Sequence, residues 1–166
     1  MINNLTVKDF EDNGYFADQG LVDIVNASLY LNKPILIEGP AGTGKTYLAK
    51  TLSKIFKTQL IRLQCHEGID EDKALYEWNY KKQLLSIQTE QDSKNLFTEE
   101  FLIERPILQS LRSNEKSIFL VDEIDRSDEE FEALLLEVLA ENQVSIPELG
   151  TITSKNDNLT VLTSNA

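Results

Sequence analysis

Pro34-Ile-Leu-Ile-Glu-Gly-Pro-Ala-Gly-Thr-Gly-Lys-Thr46 joins a short apolar run to a glycine-rich turn and then to a segment with helical periodicity. Ile35, Leu36 and Ile37 have no polar interruption, the pattern of a strand buried on both faces of a parallel sheet. Gly39-Pro40-Ala41-Gly42-Thr43-Gly44-Lys45-Thr46 then satisfies G-x-x-x-x-G-K-[ST]. Without side chains, Gly39, Gly42 and Gly44 can take positive φ and turn successive N–H groups toward one anion. Lys45 adds a mobile positive charge, the Thr46 hydroxyl can ligate Mg²⁺, and the helix predicted over 45–56 brings its positive dipole end to the same place. Residues Gly39 to Thr46, with Tyr47 beside them, are therefore the expected nucleotide-binding segment. By chance the pattern arises in roughly one in two hundred chains of this length, and a strand before it and a helix after it lower that further.

A second stretch carries chemistry. Ser117-Ile-Phe-Leu-Val-Asp-Glu123 predicts a buried strand that delivers two carboxylates at its C-terminal end, where open α/β sheets bind ligands. Asp122 is placed to hold Mg²⁺ opposite Thr46, and Glu123 to polarise a water for attack on a γ-phosphate. Alone, an apolar run ending in Asp-Glu is a weak signal; beside the phosphate loop it becomes strong. Leu159-Thr-Val-Leu-Thr163 predicts a last strand, after which Asn165 would hold an amide near the attacking water.

Other segments supply the frame. Residues 1–14 show no usable period and read as a lead-in. Leu21, Ile24, Val25 and Leu29 predict an amphipathic helix capped by Asp18. Tyr15 and Phe16, just ahead of it, suit an adenine platform or, slightly better, a hydrophobic staple. Residues 59–63 read as a strand. Residues 65–88 are irregular, with a helical turn near 69–75, a Tyr76-Glu-Trp-Asn-Tyr80 aromatic cluster and an apolar-polar run over 84–87; a satellite core and a functional loop explain them equally well. A polar linker over 89–95 precedes a turn at Thr98. Pro106 opens a helix buried through Ile107, Leu108 and Leu111. Phe131, Leu134, Leu135, Val138 and Leu139 define a helix with a Ser127/Glu130 capping box, and 143–153 a hairpin around Pro147-Glu-Leu-Gly150. Alternating strands and helices predict an α/β sandwich of three layers around a mainly parallel sheet.

With 166 residues, the chain fits one domain that buries roughly 70% of its unfolded surface. A formal net charge of -12 argues against binding nucleic acid through its phosphates. The acidic run from Asp122 to Glu141 is read first as a solvated helix face. One cysteine, Cys65, excludes an internal disulfide and suits a reducing compartment, and Cys65-His66 lacks a second pair at zinc spacing. The sequence shows neither a signal-peptide pattern nor an apolar run long enough for a membrane span, so the cytoplasm is the expected location and no membrane partner is expected.

The phosphate loop, the Ile118-Phe-Leu-Val-Asp-Glu-Ile-Asp125 strand, the 74–85 segment around Tyr76-Glu-Trp-Asn-Tyr80, Ile146-Pro-Glu-Leu-Gly-Thr-Ile152 and Val161-Leu-Thr-Ser-Asn165 together resemble a MoxR-type AAA+ ATPase, from about Gly14 onward. The first two motifs are common to many ATPases; the aromatic and Ile-Pro-Glu-Leu-Gly segments are more particular. The resemblance implies a P-loop NTPase core with strand order 5-1-4-3-2 followed by a helical lid. It also implies ATP and Mg²⁺ as cofactors, assembly as a homo-hexameric ring, and remodelling of a protein client, often with a von Willebrand factor A domain protein. By motif it makes Lys45 and Thr46 the Walker A residues, Asp122 and Glu123 the Walker B pair, and Asn165 the first sensor, with Lys45, Glu123 and Asn165 catalytic and Thr46 and Asp122 on the metal.

The fifth strand, the lid and the arginine finger of that family have no counterpart in residues 15–166, which are expected to form the front part of such a core, monomeric or associating through a sheet edge. Arg126 is not at the finger position. An arginine finger contributes on the order of 10³ to 10⁵ in rate, so very weak turnover is expected of this chain alone. Two other readings stay open: a nucleotide-binding scaffold without turnover, and a small P-loop phosphotransferase. The Asp122-Glu123 pair disfavours the second because it suits water activation better than transfer to a hydroxyl.

Overall fold

A computed structural model of the protein describes residues 4–89 and 95–165. Strands Ile35–Glu38 (β1), Leu60–Gln64 (β2), Ile118–Asp122 (β5) and Leu159–Ser164 (β8) form one sheet in the order β1-β8-β5-β2, with each pairing parallel. In family numbering that is 1-4-3-2, the expected order without its fifth strand among the described residues.

The apolar runs explain why these segments pair. Successive side chains of a strand point to opposite faces, and both faces of this sheet are covered. On β5, Ile118 and Leu120 join one core and Phe119 and Val121 the other, and the strand is buried along its whole length. The first core collects helices Val7–Glu11 (α1), Gln19–Leu31 (α2) and Lys45–Phe56 (α3) through Phe10, Val22, Val25, Leu48 and Leu52. The second collects Glu71–Ala74 (α4), Pro106–Arg112 (α6) and Glu129–Glu141 (α7) with the antiparallel hairpin Gln143–Ile146 (β6) and Gly150–Thr153 (β7). Each fully buried Leu or Ile contributes about 1.5–3 kcal/mol. The result is the three-layer α/β sandwich, with β1 and β2 as the sheet's two edges.

Between α4 and α6 the chain builds an annex. Strand Tyr76–Trp78 (β3) pairs antiparallel with Leu102–Glu104 (β4), enclosing helix Tyr80–Thr89 (α5) and a 3₁₀ turn at Glu99–Phe101. Trp78 meets Tyr76 and Phe97 edge-on at centroid distances of 6.0 and 5.3 Å, and Phe101 is fully buried. A satellite core is therefore present. The outer face of α5 nonetheless leaves Leu84, Leu85 and Ile87 about 60% exposed.

Several local expectations change. Within residues 4–14, Leu5 and Phe10 are buried, and Asn26 holds the Leu5 backbone by bonds of 2.8 and 2.9 Å, so this segment packs on the core. Ile24 is exposed and Val22 takes the core position on α2. The run 84–87 is helical, because α5 continues through it. The cap of α7 is Asp128, whose carboxylate accepts from the Phe131 N–H, while Ser127 donates instead to the Ile124 carbonyl. Ser127 sits one residue too early to start the helix. Residues 90–94 of the expected linker, and Ala166, lie outside the described residues.

Candidate functional site

The loop after β1 takes the conformation its glycines allow. Gly39, Gly42 and Gly44 have φ of 151°, 82° and 87°. A Cβ at Gly42 or Gly44 would meet nothing within 4 Å, so backbone conformation, not space, demands glycine there. Gly44 caps α3 in the left-handed region, and the helix begins at Lys45 as expected. The first N–H groups of α3 have no partner within the helix and its dipole favours an anion beside them. Thr43 Oγ1 donates to the Pro40 carbonyl at 2.9 Å, bracing the turn. Lys45 Nζ lies across the loop, donating to the carbonyls of Gly39 and Pro40 at 2.5 and 2.7 Å.

The ends of β5 and β8 close the other wall. Thr46 Oγ1 lies 3.0 and 3.2 Å from the two oxygens of Asp122, joining loop and sheet. Thr163 Oγ1 donates to Asp122 Oδ1 at 2.6 Å and accepts from the Glu123 N–H at 2.9 Å. Arg62, on β2, reaches Asp122 Oδ2 at 2.5 Å. Burial pushes the Asp122 carboxyl up, but the bonds from Thr163, Arg62 and Thr46 and the guanidinium charge outweigh it, leaving its pKa below the usual value. A buried carboxylate beside a hydroxyl is a hard-oxygen donor set, which fits Mg²⁺.

Glu123 has φ of 56°, an uncommon left-handed conformation for a residue with a side chain. That conformation costs on the order of 1 kcal/mol, and Glu123 Oε2 accepts from Gln64 Nε2 and from Arg126, each at 3.1 Å. Arg126 is thus held within the chain. Asn165 lines the same cleft, and its N–H donates to Asp125 Oδ1 at 2.9 Å.

The cleft, about 350 Å³, brings together Ala41, Gly42, Gly44, Lys45, Thr46 and Tyr47 with Asp122, Glu123, Thr163 and Asn165. A larger cleft of about 480 Å³ lies at the opposite ends of β2 and β5, beside Gln59 and Asn114. The smaller one sits where the strands end, the side on which open α/β sheets bind ligands. Tyr15 stacks on Tyr47, with ring centroids 6.1 Å apart and planes at 15°, and packs on Phe10 and the core beneath α2, while Phe16 is 93% exposed.

Three participants were not singled out from sequence: Arg62, Gln64 and Thr163. Their signal was present in alternation. On β2, Ile61 and Leu63 are buried, so Arg62 and Gln64 share the other face, and the register sets Gln64 against Asp122. Cys65, next on the chain, is buried; burial and then the surrounding carboxylates push its thiol up to about 12, so it stays protonated and inert.

A family model described as AAA domain (dynein-related subfamily) matches residues 34–165. Among curated relatives, an uncharacterized protein of Staphylococcus epidermidis is 29% identical over 137 residues, 82% of this chain and 48% of its own length. One from Staphylococcus saprophyticus is 30% identical over 122 residues, 74% of this chain and 42% of its own. The chain thus spans about half the length of the relatives it matches. The crystal structure of a "putative ATPase" from Cytophaga hutchinsonii aligns with a TM-score of 0.63 at 20% identity, covering 96% of this chain and 42% of that one, a likeness of fold.

Proposed function

The chain belongs to the AAA domain family, dynein-related subfamily, and on that premise we propose that it binds Mg-ATP at the Gly39–Thr46 loop and hydrolyses it in its assembled form. The observation that carries the reading is the 3.0 Å contact of Thr46 with Asp122, which joins the phosphate loop to the acidic end of β5.

The loop N–H groups and the start of α3 orient the phosphates, and Lys45 trades its loop carbonyls for phosphate oxygens. Thr46 and Asp122 would hold Mg²⁺, which when bound neutralises charge developing on the phosphates. Glu123 accepts a proton from the attacking water, and Asn165 orients that water. The Tyr76–Tyr80 and Ile146–Gly150 segments support a MoxR-type protein. With it come the further proposals of a homo-hexameric ring, a protein client, a von Willebrand factor A domain partner and a cytoplasmic setting. Among the described residues no helix is long and apolar enough to cross a membrane.

Replacing Glu123 with Gln tests the assignment. In the assembled form, Mg-ATP affinity should stay within about threefold while phosphate release falls at least about 100-fold, the low end of what a positioned general base contributes. Loss of binding, or undiminished turnover, would contradict the role given to Glu123.

A further inference from the structure

Asp122 is nearly inaccessible, its side chain 4% exposed, yet one of its partners comes from outside: the Arg62 side chain is 46% exposed. Oδ1 takes the Thr163 hydroxyl at 2.6 Å and Thr46 at 3.0 Å. Oδ2 takes the Arg62 guanidinium at 2.5 Å, with Thr46 at 3.2 Å. A desolvated carboxylate needs hydrogen bonds and counter-charge. The two hydroxyls supply the bonds, and Arg62 supplies the charge.

The position of Arg62 follows from register. It pairs with Leu120, two residues before Asp122 on β5, and since paired residues of a sheet share a face, Arg62, Gln64 and Asp122 stand on the face that α3 covers. Because β2 is an edge strand among the described residues, the guanidinium crosses from solvent to the carboxylate past the sheet edge. A divalent cation held by Thr46 and Asp122 would draw on the same carboxylate. Two cations a few ångströms apart in a partly desolvated cleft repel each other strongly.

We propose that Arg62 is a resident counter-ion that competes with the divalent cation for Asp122 Oδ2, and that entry of the metal nucleotide displaces its guanidinium toward solvent. The inference rests on the nucleotide-site reading given above. Arg62 acts here as a positioning residue: it balances the carboxylate's charge and aims it until the metal takes over, and so sets how tightly metal nucleotide binds. Its guanidinium also bonds Gln64 Oε1, and Gln64 Nε2 holds Glu123, so releasing Arg62 frees one support of the general base.

The test is calorimetric titration of the chain and of Arg62→Met, which keeps the long stem and removes the charge, with Mg-ATP and with ATP in a chelator. Competition predicts that Arg62→Met tightens Mg-ATP roughly tenfold, the size of one charge-assisted hydrogen bond, without tightening metal-free ATP. Arg62→Lys, which keeps the charge but loses the planar fork, should tighten Mg-ATP by roughly two- to threefold, and it carries the test if Arg62→Met does not fold. Unchanged or weaker Mg-ATP binding in the folded variants would overturn the competition while leaving the nucleotide site standing. If the parent chain bound ATP under neither condition, the site reading and this inference would fall together.

Discussion

The nucleotide corner and the annex between α4 and α6 are built in opposite ways. At the corner, the two carboxylates draw partners from several elements: Thr46, Thr163 and Arg62 on Asp122, Gln64 and Arg126 on Glu123, with strand register placing Arg62, Gln64 and Thr163. In the annex, Trp78 and Phe101 are buried, with Phe97 half-exposed against Trp78, but the outer face of α5 presents Leu84, Leu85 and Ile87 to solvent. The corner spends its structure on fixing a few side chains. The annex fixes its inner face and leaves the other apolar.

Four changes would break or sharpen the contrast. The largest effect should come from Leu120→Ala on β5, beneath the corner, where a fully buried side chain is lost; a cost of about 2–5 kcal/mol is expected in denaturant unfolding. Next, Gly44→Ala forces a side chain into the left-handed cap of α3. It should cost roughly 1–2 kcal/mol by thermal unfolding, and it should weaken Mg-ATP because the cap aims the loop.

A smaller effect should be seen in acid. The folded pKa of Asp122 is lowered, so its stabilisation is complete above the ordinary carboxylate range and is lost as pH falls through the depressed folded value. Asp122→Asn should flatten that part of the acid limb in pH-dependent melting; an unchanged limb would mean that other carboxylates dominate it. The smallest effect belongs to the annex: Leu84→Ser should change stability by less than about 0.5 kcal/mol. A larger loss would show that the outer face of α5 is packed in solution, and would erase the contrast.

The same contrast decided what could be read from sequence. Gly39 to Thr46 and Ile118 to Glu123 were legible because each motif couples a local conformation to its chemistry: positive φ for the cradle, and a strand buried on both faces that delivers carboxylates. The helices α3, α6 and α7 were legible from their apolar stripes, and the hairpin of β6 and β7 from its turn residues. The β3–β4 pairing was not, because Tyr76 and Glu104 meet across a long separation and neither three-residue strand shows a period. The α1 helix is only five residues long, too short for a period, and it is secured by Phe10 in the α2–α3 core and by the bonds of Asn26 to Leu5 just ahead of it. Arg62, Gln64 and Thr163 look like ordinary strand residues until the register of β2, β5 and β8 sets them beside the carboxylates.

The central claim is that the loop and the β5 carboxylates form one metal-nucleotide site. Calorimetric titration of Mg-ATP into the chain, and into Lys45→Ala, tests it most directly. The account predicts one saturable site per chain, with affinity reduced roughly 10- to 150-fold when Lys45 is replaced, in keeping with loss of a charge-assisted contact made in a partly desolvated cleft. Equal binding by both proteins, or binding by neither, would contradict it.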